Sequence, residues 1–386
     1  MTALPGRWKF LKDQNCKHMD INLRWDNKNS YSFAALAPLL PGAQKSKGPR
    51  DGIMVYSFAT RQKDSVFEEI TDAGTDSIFI AGGPHPSGAP EETLRYFDYV
   101  VLGEGEEALP ELIKAIISGE DTCGVKGIAY RDNRDNTVFT ACREPVDLDK
   151  YPCFDPGIAM APMEISRGCP FRCKYCQTPR IFGGKLRHRS IDSIARWAKY
   201  FKDMRFTSSN ALAYGSDGIH PRFDRVEKLL SKLRNIEGKK IYFGTFPSEV
   251  RPEFITQESI GLITKYCDNT RLNLGAQSGS EEILRDILRG NTVEDTYRGI
   301  ELCFDNGITP VVDFIVGFPD ETEDDQNKSL EMIEWICRKG GTAHAHYLTP
   351  LPGTPYENAV PSPVNDRFKR VLGKLAMEGK ATGSWG

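Results

Sequence analysis

The 386-residue chain predicts an α/β fold in two parts. A Rossmann-like, doubly wound parallel sheet comes first, and a partial (βα)6 barrel follows. Three observations carry this reading. Short apolar runs alternate with helical patterns through the first part, which implies a parallel sheet covered on both faces. The alternation resumes on a larger scale in the second part, with six strand candidates separated by helices. Between the two, a stretch from about Asp147 to Pro162 holds Pro152, Pro156 and Pro162 and reads as a linker. The predicted limits are 1–150 for the sheet domain, 151–356 for the barrel and 357–386 for a helical tail.

In the first part the strands are Met19–Trp25, Gly52–Ser57, Ser77–Ala81 and Tyr99–Leu102. The helices are Tyr31–Leu40, Ser65–Ala73 and Glu106–Ser118. In the second part the strands are Met163–Ser166, Met204–Ser208, Ile241–Thr245, Arg271–Ala276, Thr309–Val316 and Thr342–Thr349. Helices fall at Phe223–Asn235, Glu281–Leu288, Val293–Asn306 and Asp324–Arg338, and one more fills the tail at Asn365–Glu378. Sites in both architectures lie at the carboxyl ends of the strands.

Composition narrows the class. The net charge is −3 and no long basic run occurs, so nucleic-acid binding is not expected and the scattered basic residues read as solvated surface. No apolar stretch approaches the ~20 residues of a membrane span. The start, MTALPGRWKFLKDQ, lacks the apolar core of a signal peptide. These features predict a soluble, cytoplasmic protein. Of its ten cysteines, Cys16, Cys123, Cys142, Cys153, Cys267, Cys303 and Cys337 are scattered and read mostly as buried small hydrophobes. A reducing compartment fits them.

The other three cysteines cluster in Ile165-Ser166-Arg167-Gly168-Cys169-Pro170-Phe171-Arg172-Cys173-Lys174-Tyr175-Cys176. Thiolates spaced Cys-x3-Cys-x2-Cys converge on one soft metal centre. A closed zinc site needs four ligands, so a zinc knuckle requires a distant residue to complete it. A [4Fe–4S] cluster on three thiolates keeps one iron open. The motif, with its Ser-Arg-Gly-Cys-Pro run and Tyr175, resembles the radical SAM family over about Ala161–Tyr356. The resemblance implies that Cys169, Cys173 and Cys176 hold the cluster, whose open iron chelates S-adenosylmethionine (SAM).

It also implies SAM contacts. Tyr175 sits where the family places an aromatic near the adenine; simple packing is the other reading. Leu274-Gly275-Ala276-Gln277-Ser278-Gly279-Ser280 resembles the SAM-contacting strand, with Gln277 where many members have Glu. Gln277 and Ser278 offer hydrogen bonds, while Ser280 also reads as the cap of the next helix. Arg289 matches a partner for the methionine carboxylate, or is a surface residue. Asp313-Phe314-Ile315-Val316-Gly317-Phe318-Pro319 resembles the strand whose apolar residue, here Ile315, flanks adenine. Leu351–Tyr356 resembles the turn after the sixth strand. Ser208 follows the second strand and is assigned to the SAM site; Ser209, Asn210, Tyr214, Asp217, His220, Thr245, Glu249 and His344 are further polar candidates. His346 and Tyr347, ending the last strand, are the catalytic candidates, and alternation points one inward and one outward.

In the first part, Ile78-Phe79-Ile80-Ala81-Gly82-Gly83-Pro84-His85-Pro86-Ser87 and Asp98-Tyr99-Val100-Val101-Leu102-Gly103-Glu104-Gly105-Glu106 resemble the cobalamin-binding domain of one radical SAM subclass. The implied cobalamin contacts are Gly82, Gly83, Pro84, His85, Gly103, Glu104 and Gly105. The Asp-x-His-x-x-Gly motif that supplies a lower cobalt ligand is absent, and His18 and His85 are the two histidines of this half. A Rossmann-like domain that binds nothing is the alternative. No Gly-x-Gly-x-x-Gly follows the first strand, which argues against a nicotinamide site.

Taken together, the resemblance implies a cobalamin-dependent radical SAM C-methyltransferase using a [4Fe–4S] cluster, SAM and methylcobalamin on an unactivated carbon. The compact chain is similar to archaeal members from methanogens. The candidate reaction is a post-translational modification, methylation of a glutamine α-carbon in the alpha subunit of methyl-coenzyme M reductase. A ferredoxin or flavodoxin would supply electrons. Rival readings are a cyclisation or rearrangement on the same architecture, a non-enzymatic iron–sulfur or cobalamin sensor, and a methylthiotransferase, which would bring three more cysteines and a small RNA-binding domain.

Overall fold

The computed structural model describes residues 19–385, and Cys16 and His18 lie outside that range. The chain divides into two compact units. One runs up to Ala161 and includes Leu351–Gly353; the other comprises Pro162–Pro350 and Thr354 onward. The boundary lies at the end of the proline-bearing stretch, whereas the sequence reading placed it at 150. Ordered turns around Asp147 and Asp155, whose carboxylates accept backbone N–H groups, keep residues 147–161 with the first unit.

The first unit is a seven-stranded sheet in the order β2-β1-β3-β4-β5-β6-β7. The strands are β1 (Ile21–Arg24), β2 (Gln44–Ser46), β3 (Gly52–Ser57), β4 (Ser77–Gly82), β5 (Tyr99–Val101), β6 (Ile128–Arg131) and β7 (Thr137–Phe139). β1 to β5 are parallel; β6 and β7 add an antiparallel edge. β3 and β4 are apolar almost throughout because both faces are covered. Alternation divides the core: Ile53, Val55, Ile78 and Ile80 join one apolar cluster, and Met54, Tyr56 and Phe79 the other. The sheet is therefore doubly wound, as predicted. The edge hairpin escaped the sequence reading because β7 has three residues. Its turn carries a plain signal, with Asp132 accepting the N–H groups of Arg134 and Asn136.

In the second unit the strands are β8 (Met163–Glu164), β9 (Ser166–Arg167), β10 (Arg187–His188), β11 (Asp203–Thr207), β12 (Lys240–Tyr242), β13 (Arg271–Gln277), β14 (Thr309–Val316), β15 (Thr342–Tyr347) and β16 (Ala381–Ser384). β12-β11-β8 and β13-β14-β15-β16 form two parallel sheets, linked by a parallel bridge from Val250 to Leu274. Three helices between strands begin at a capping box, closed by Thr256, Thr292 and Thr322. The six predicted barrel strands are all present. The tail carries the expected helix, Asp366–Met377, but the polar end expected after it forms a strand, as β16 pairs with β15. Its short sequence Ala-Thr-Gly-Ser carries little strand propensity, and the ladder to β15 overrides it.

Alternation in β14 and β15 separates two faces. Val312, Phe314, Val316, Ala343 and Ala345 are buried, while Asp313, Ile315, His344 and His346 keep some exposure. Register aligns Gly275, Asp313, His344 and Thr382 in one row, and Ile315, His346 and Ser384 in the next. Of the scattered cysteines, Cys153, Cys303 and Cys337 are buried as expected, but Cys123 and Cys142 are exposed. Both lie on short connections at the periphery of the first sheet, where nothing covers them. Among the described residues, no helix is long and apolar enough to cross a membrane.

Candidate active site

The cysteine loop is held by backbone geometry. Gly168 has φ +93°, and a Cβ there would lie 2.3 Å from the Lys185 carbonyl, so the turn into Cys169 requires glycine. Ser209 donates to the Gly168 carbonyl at 2.8 Å, and Cys169 N–H to that of Gly183 at 3.2 Å. The far end of the loop docks on the turn after the helix Glu281–Asp286. Lys174 N–H donates to the Ile287 carbonyl at 3.0 Å, and Cys173 Sγ lies 3.6 Å from the Leu288 carbonyl. Asp286 accepts from Lys174 Nζ and Tyr356 Oη, both at 2.6 Å.

Burial pushes the Cys169 thiol up, Cys176 and Cys173 push it further, and Arg251 opposes them. The thiols therefore feel one another. Among the described residues no three His, Cys, Asp or Glu side chains form a ready-made metal cage. The loop carries three soft donors within eight residues. That chemistry fits a cluster held by three thiolates.

Beside the loop lies a polar recess. A Cβ on Gly275 would lie 2.7 Å from Arg289 Nη2, Gln277 Nε2 and a Glu249 carboxylate oxygen alike. Arg289 Nη2 donates to the Gly275 carbonyl at 2.7 Å, while its buried Nε has no hydrogen-bond partner. Arg251 lies over the Phe171 ring at 3.5 Å and donates to the Arg289 carbonyl. Burial alone would lower the Arg289 pKa, but Tyr175, Cys173, Glu253 and Glu249 around it raise it, so it stays a cation. Burial pushes the Asp313 carboxyl up to about 8, and nearby Glu249 adds to this while Arg289 opposes it. Glu249 keeps open surface, yet protein surrounds it, and that desolvation likewise raises its carboxyl.

The other sequence candidates divide. Gln277 sits at a bulge in β13 with φ +73°, a strained conformation for a non-glycine residue, and its amide borders the recess. Tyr175 and Ile315 meet in an apolar cluster with Phe318, Leu348 and Tyr356. Ser208 bonds Ser248 Oγ at 2.9 Å. Ser278 is fully buried, beside Ser329 at 3.3 Å, and accepts the Ser280 N–H. Ser280 makes no helix cap; its hydroxyl donates to Asp325. Tyr347 packs its ring on Gly317, and its hydroxyl donates to the Ser362 carbonyl at 3.2 Å. His346 remains on the partly exposed face, edge-on to His344 at 4.2 Å. The sequence reading gave Asp313 and Arg251 no role. A charged residue interrupting the apolar run of β14 was the available signal for Asp313.

In the first unit, Gly83 has φ +96°, and a Cβ there would press on Ser57 and the Phe58 backbone. Ser87 accepts the Gly103 N–H at 3.0 Å, tying the loops after β4 and β5 together. Pro84 begins the short helix Pro84–Gly88, and Gly82 and Gly105 flank these loops. Glu104 is spent on the Val146 N–H at 2.8 Å. His85 is 1% exposed, stacks on Phe58, and places Nε2 3.2 Å from Glu92. A crevice of about 360 Å³ opens at the carboxyl ends of β1 and β3, lined by Arg24, Asp26, Asn29, Tyr56, Ser57 and Gln62 among others. Strand order reverses between β1 and β3, the place where open α/β sheets take ligands. Glu69 fixes one wall, accepting twice from Arg24 at 2.7 Å and once from Tyr56 at 2.8 Å. The sequence reading missed this crevice because locating it needs the strand order.

Residues 163–333 match the Radical SAM superfamily, and residues 52–113 match the B12 binding domain. The chain carries a radical SAM domain and a B12-binding domain. Together they mark an enzyme whose cofactors are a [4Fe–4S] cluster, SAM and cobalamin. An uncharacterized methyltransferase of Pyrococcus horikoshii is 26% identical over 72% of this chain and 62% of its own length. The tRNA-2-methylthio-N(6)-dimethylallyladenosine synthase of Aquifex aeolicus is 30% identical over 68% of this chain and 58% of its own. The chain thus spans less than two thirds of either relative. Two solved structures share the fold. The radical SAM methyltransferase TsrM of Kitasatospora setae has TM-score 0.62 and 19% identity, covering 80% of this chain and 66% of that one. The cobalamin-dependent radical SAM enzyme OxsB has TM-score 0.63 and 16% identity, covering 83% and 52%. The radical SAM domain contains the cysteine loop, the Gly275 recess and most of β14 and β15's supporting helices; the B12-binding domain contains β3 to β5 and their loops.

Proposed function

We propose that the protein is a cobalamin-dependent radical SAM C-methyltransferase, and that its substrate is a protein or peptide, with the glutamine of the methyl-coenzyme M reductase alpha subunit as the first candidate. The observation that carries the reading is the pairing of two sites in one chain: a three-thiol loop beside a buried, incompletely bonded guanidinium, and a switch-point crevice in the unit that carries the B12 binding match. When bound, the cluster, SAM and cobalamin supply hydrogen-atom abstraction and a methyl group for the resulting carbon.

The residues divide that work. Cys169, Cys173 and Cys176 hold the cluster. Arg289 offers its unpartnered Nε–H to a carboxylate, as the methionine end of SAM requires. Gln277 and Glu249 supply hydrogen-bonding atoms around the Gly275 notch. Tyr175, Ile315 and Phe318 supply an apolar wall for a flat base. Gly83 and Gly103 would let backbone approach a planar corrin, while His85 is held in the core against Phe58.

A methylthiotransferase is the second reading, favoured by the name of the Aquifex aeolicus relative. The B12 binding match and the dispersed positions of Cys123, Cys142 and Cys153 weigh against it.

The deciding experiment incubates loaded enzyme, SAM, reductant and the candidate glutamine peptide. The expected outcome is 5′-deoxyadenosine, S-adenosylhomocysteine and a +14 peptide in comparable amounts, with α-carbon deuterium recovered in 5′-deoxyadenosine. S-adenosylhomocysteine alone would indicate a simple methyl transfer, 5′-deoxyadenosine alone a rearrangement, and label retained during methylation would exclude the α-carbon.

A further inference from the structure

Between Ile165 and Ile191 the chain carries seven Lys and Arg and no Asp or Glu, against a whole-chain charge of −3. Four of these have structural partners. Arg167 and Arg189 turn to Glu164, Lys174 to Asp286, and Arg187 to the Phe182 carbonyl. Arg172, Arg180 and Lys185 are exposed, and none of the three pairs with a carboxylate among the described residues. They flank the thiols closely along the chain and through the backbone. Arg172 precedes Cys173, and Lys185 lies in the segment whose carbonyls meet Gly168 and Cys169. Leu288 adds an apolar element: its side chain is 53% exposed while its carbonyl lies 3.6 Å from Cys173 Sγ.

We infer that this basic, exposed surround of the cysteine loop is the docking surface for an acidic one-electron carrier protein of the flavin or iron–sulfur type. The inference rests on the functional reading above, which requires a reduced cluster. Three uncompensated cations cost little on a surface of this size, but they attract a negatively charged partner and orient it. Leu288 supplies dry contact beside Cys173. In the step itself the carrier loses one electron and the cluster gains it; no bond forms or breaks and no proton moves.

The test uses cluster-loaded enzyme and a purified acidic flavodoxin. Cluster reduction is followed by anaerobic stopped-flow absorbance, with dithionite as the small-molecule control. Flavodoxin binding is measured calorimetrically with and without the cluster. Reduction by flavodoxin should slow at least ~10-fold between about 50 and 500 mM salt. The variant Arg172→Glu/Arg180→Glu/Lys185→Glu should be at least ~10-fold slower at low salt, bind flavodoxin more weakly and lose the salt dependence. Its iron content and its reduction by dithionite should match the parent enzyme. If that variant loads iron poorly, Arg180→Gln/Lys185→Gln replaces it, with a smaller loss in the same direction. Unchanged flavodoxin rate and binding in these variants would overturn the surface. So would loss of structured-RNA binding in place of flavodoxin binding. Absence of an iron–sulfur cluster in the parent enzyme would instead overturn the functional reading, and the cluster-free binding measurement would still decide the surface.

Discussion

At the scale of single residues, the site is a set of polar groups held where burial works against them. Arg289 and Asp313 show this most clearly. Arg289→Ala should weaken SAM binding by about tenfold to a hundredfold, the loss expected for a charge-assisted hydrogen bond, measured by equilibrium dialysis. Asp313, raised to about 8 from 3.8, binds its proton more tightly in the folded state than in the unfolded chain. The folded protein therefore holds more protons between those values, and stability falls as pH rises through that window. Asp313→Asn should remove that decline, so the variant gains on the parent enzyme as pH approaches 8 in denaturant titrations. Cys173→Ala should drop iron from about four atoms per chain to a small fraction and abolish SAM cleavage. His85, packed on Phe58 and Phe67, belongs to the core. His85→Ala should cost about 2–4 kcal/mol by denaturant titration, and the cob(II)alamin spectrum should show no histidine nitrogen splitting before or after the change.

At the scale of elements, close backbone contacts decide what can be changed. β16 lies against β15 so tightly that a Cβ on Gly383, at φ +118°, would meet the Ala345 carbonyl. Gly383→Ala should cost about 1–3 kcal/mol and raise hydrogen exchange in residues 381–384 and in β15. The helix Asp366–Met377 should remain protected, since Phe368 and Leu372 stay buried. The bulge in β13 works in the same way: it places Gln277 at positive φ and turns its amide toward the Gly275 notch. A regular strand would have sent that side chain elsewhere.

For the whole molecule, two units with separate cores each carry a separate candidate site. In the first unit, the crevice lies between loops that begin at Asp26 and Phe58. Cobalamin should therefore slow hydrogen exchange in the loops after β1, β3 and β4, while protection of the helix Phe223–Arg234 in the other unit stays unchanged. Protection confined to the loop after β5 would place the corrin elsewhere.

The chain's own residues determined the class of chemistry. Three cysteines within eight positions specify a soft-metal loop whatever surrounds them, because ligand identity and spacing are local. The strand and helix pattern was equally legible, since alternation and capping residues act within a few positions, as with Thr292 and Thr322. What only the tertiary structure decided is which polar groups meet. Glu249, Gly275, Gln277 and Arg289 converge from different elements, and Asp313 becomes a buried acid because β14 lies beside β13. Ser278 and Tyr347 looked available in sequence, yet Ser329 and the Ser362 carbonyl engage them. The crevice at β1 and β3 exists because β2 and β3 lie on opposite sides of β1. Strand order, register and desolvation arise from contacts between distant segments, so no local pattern could have carried them.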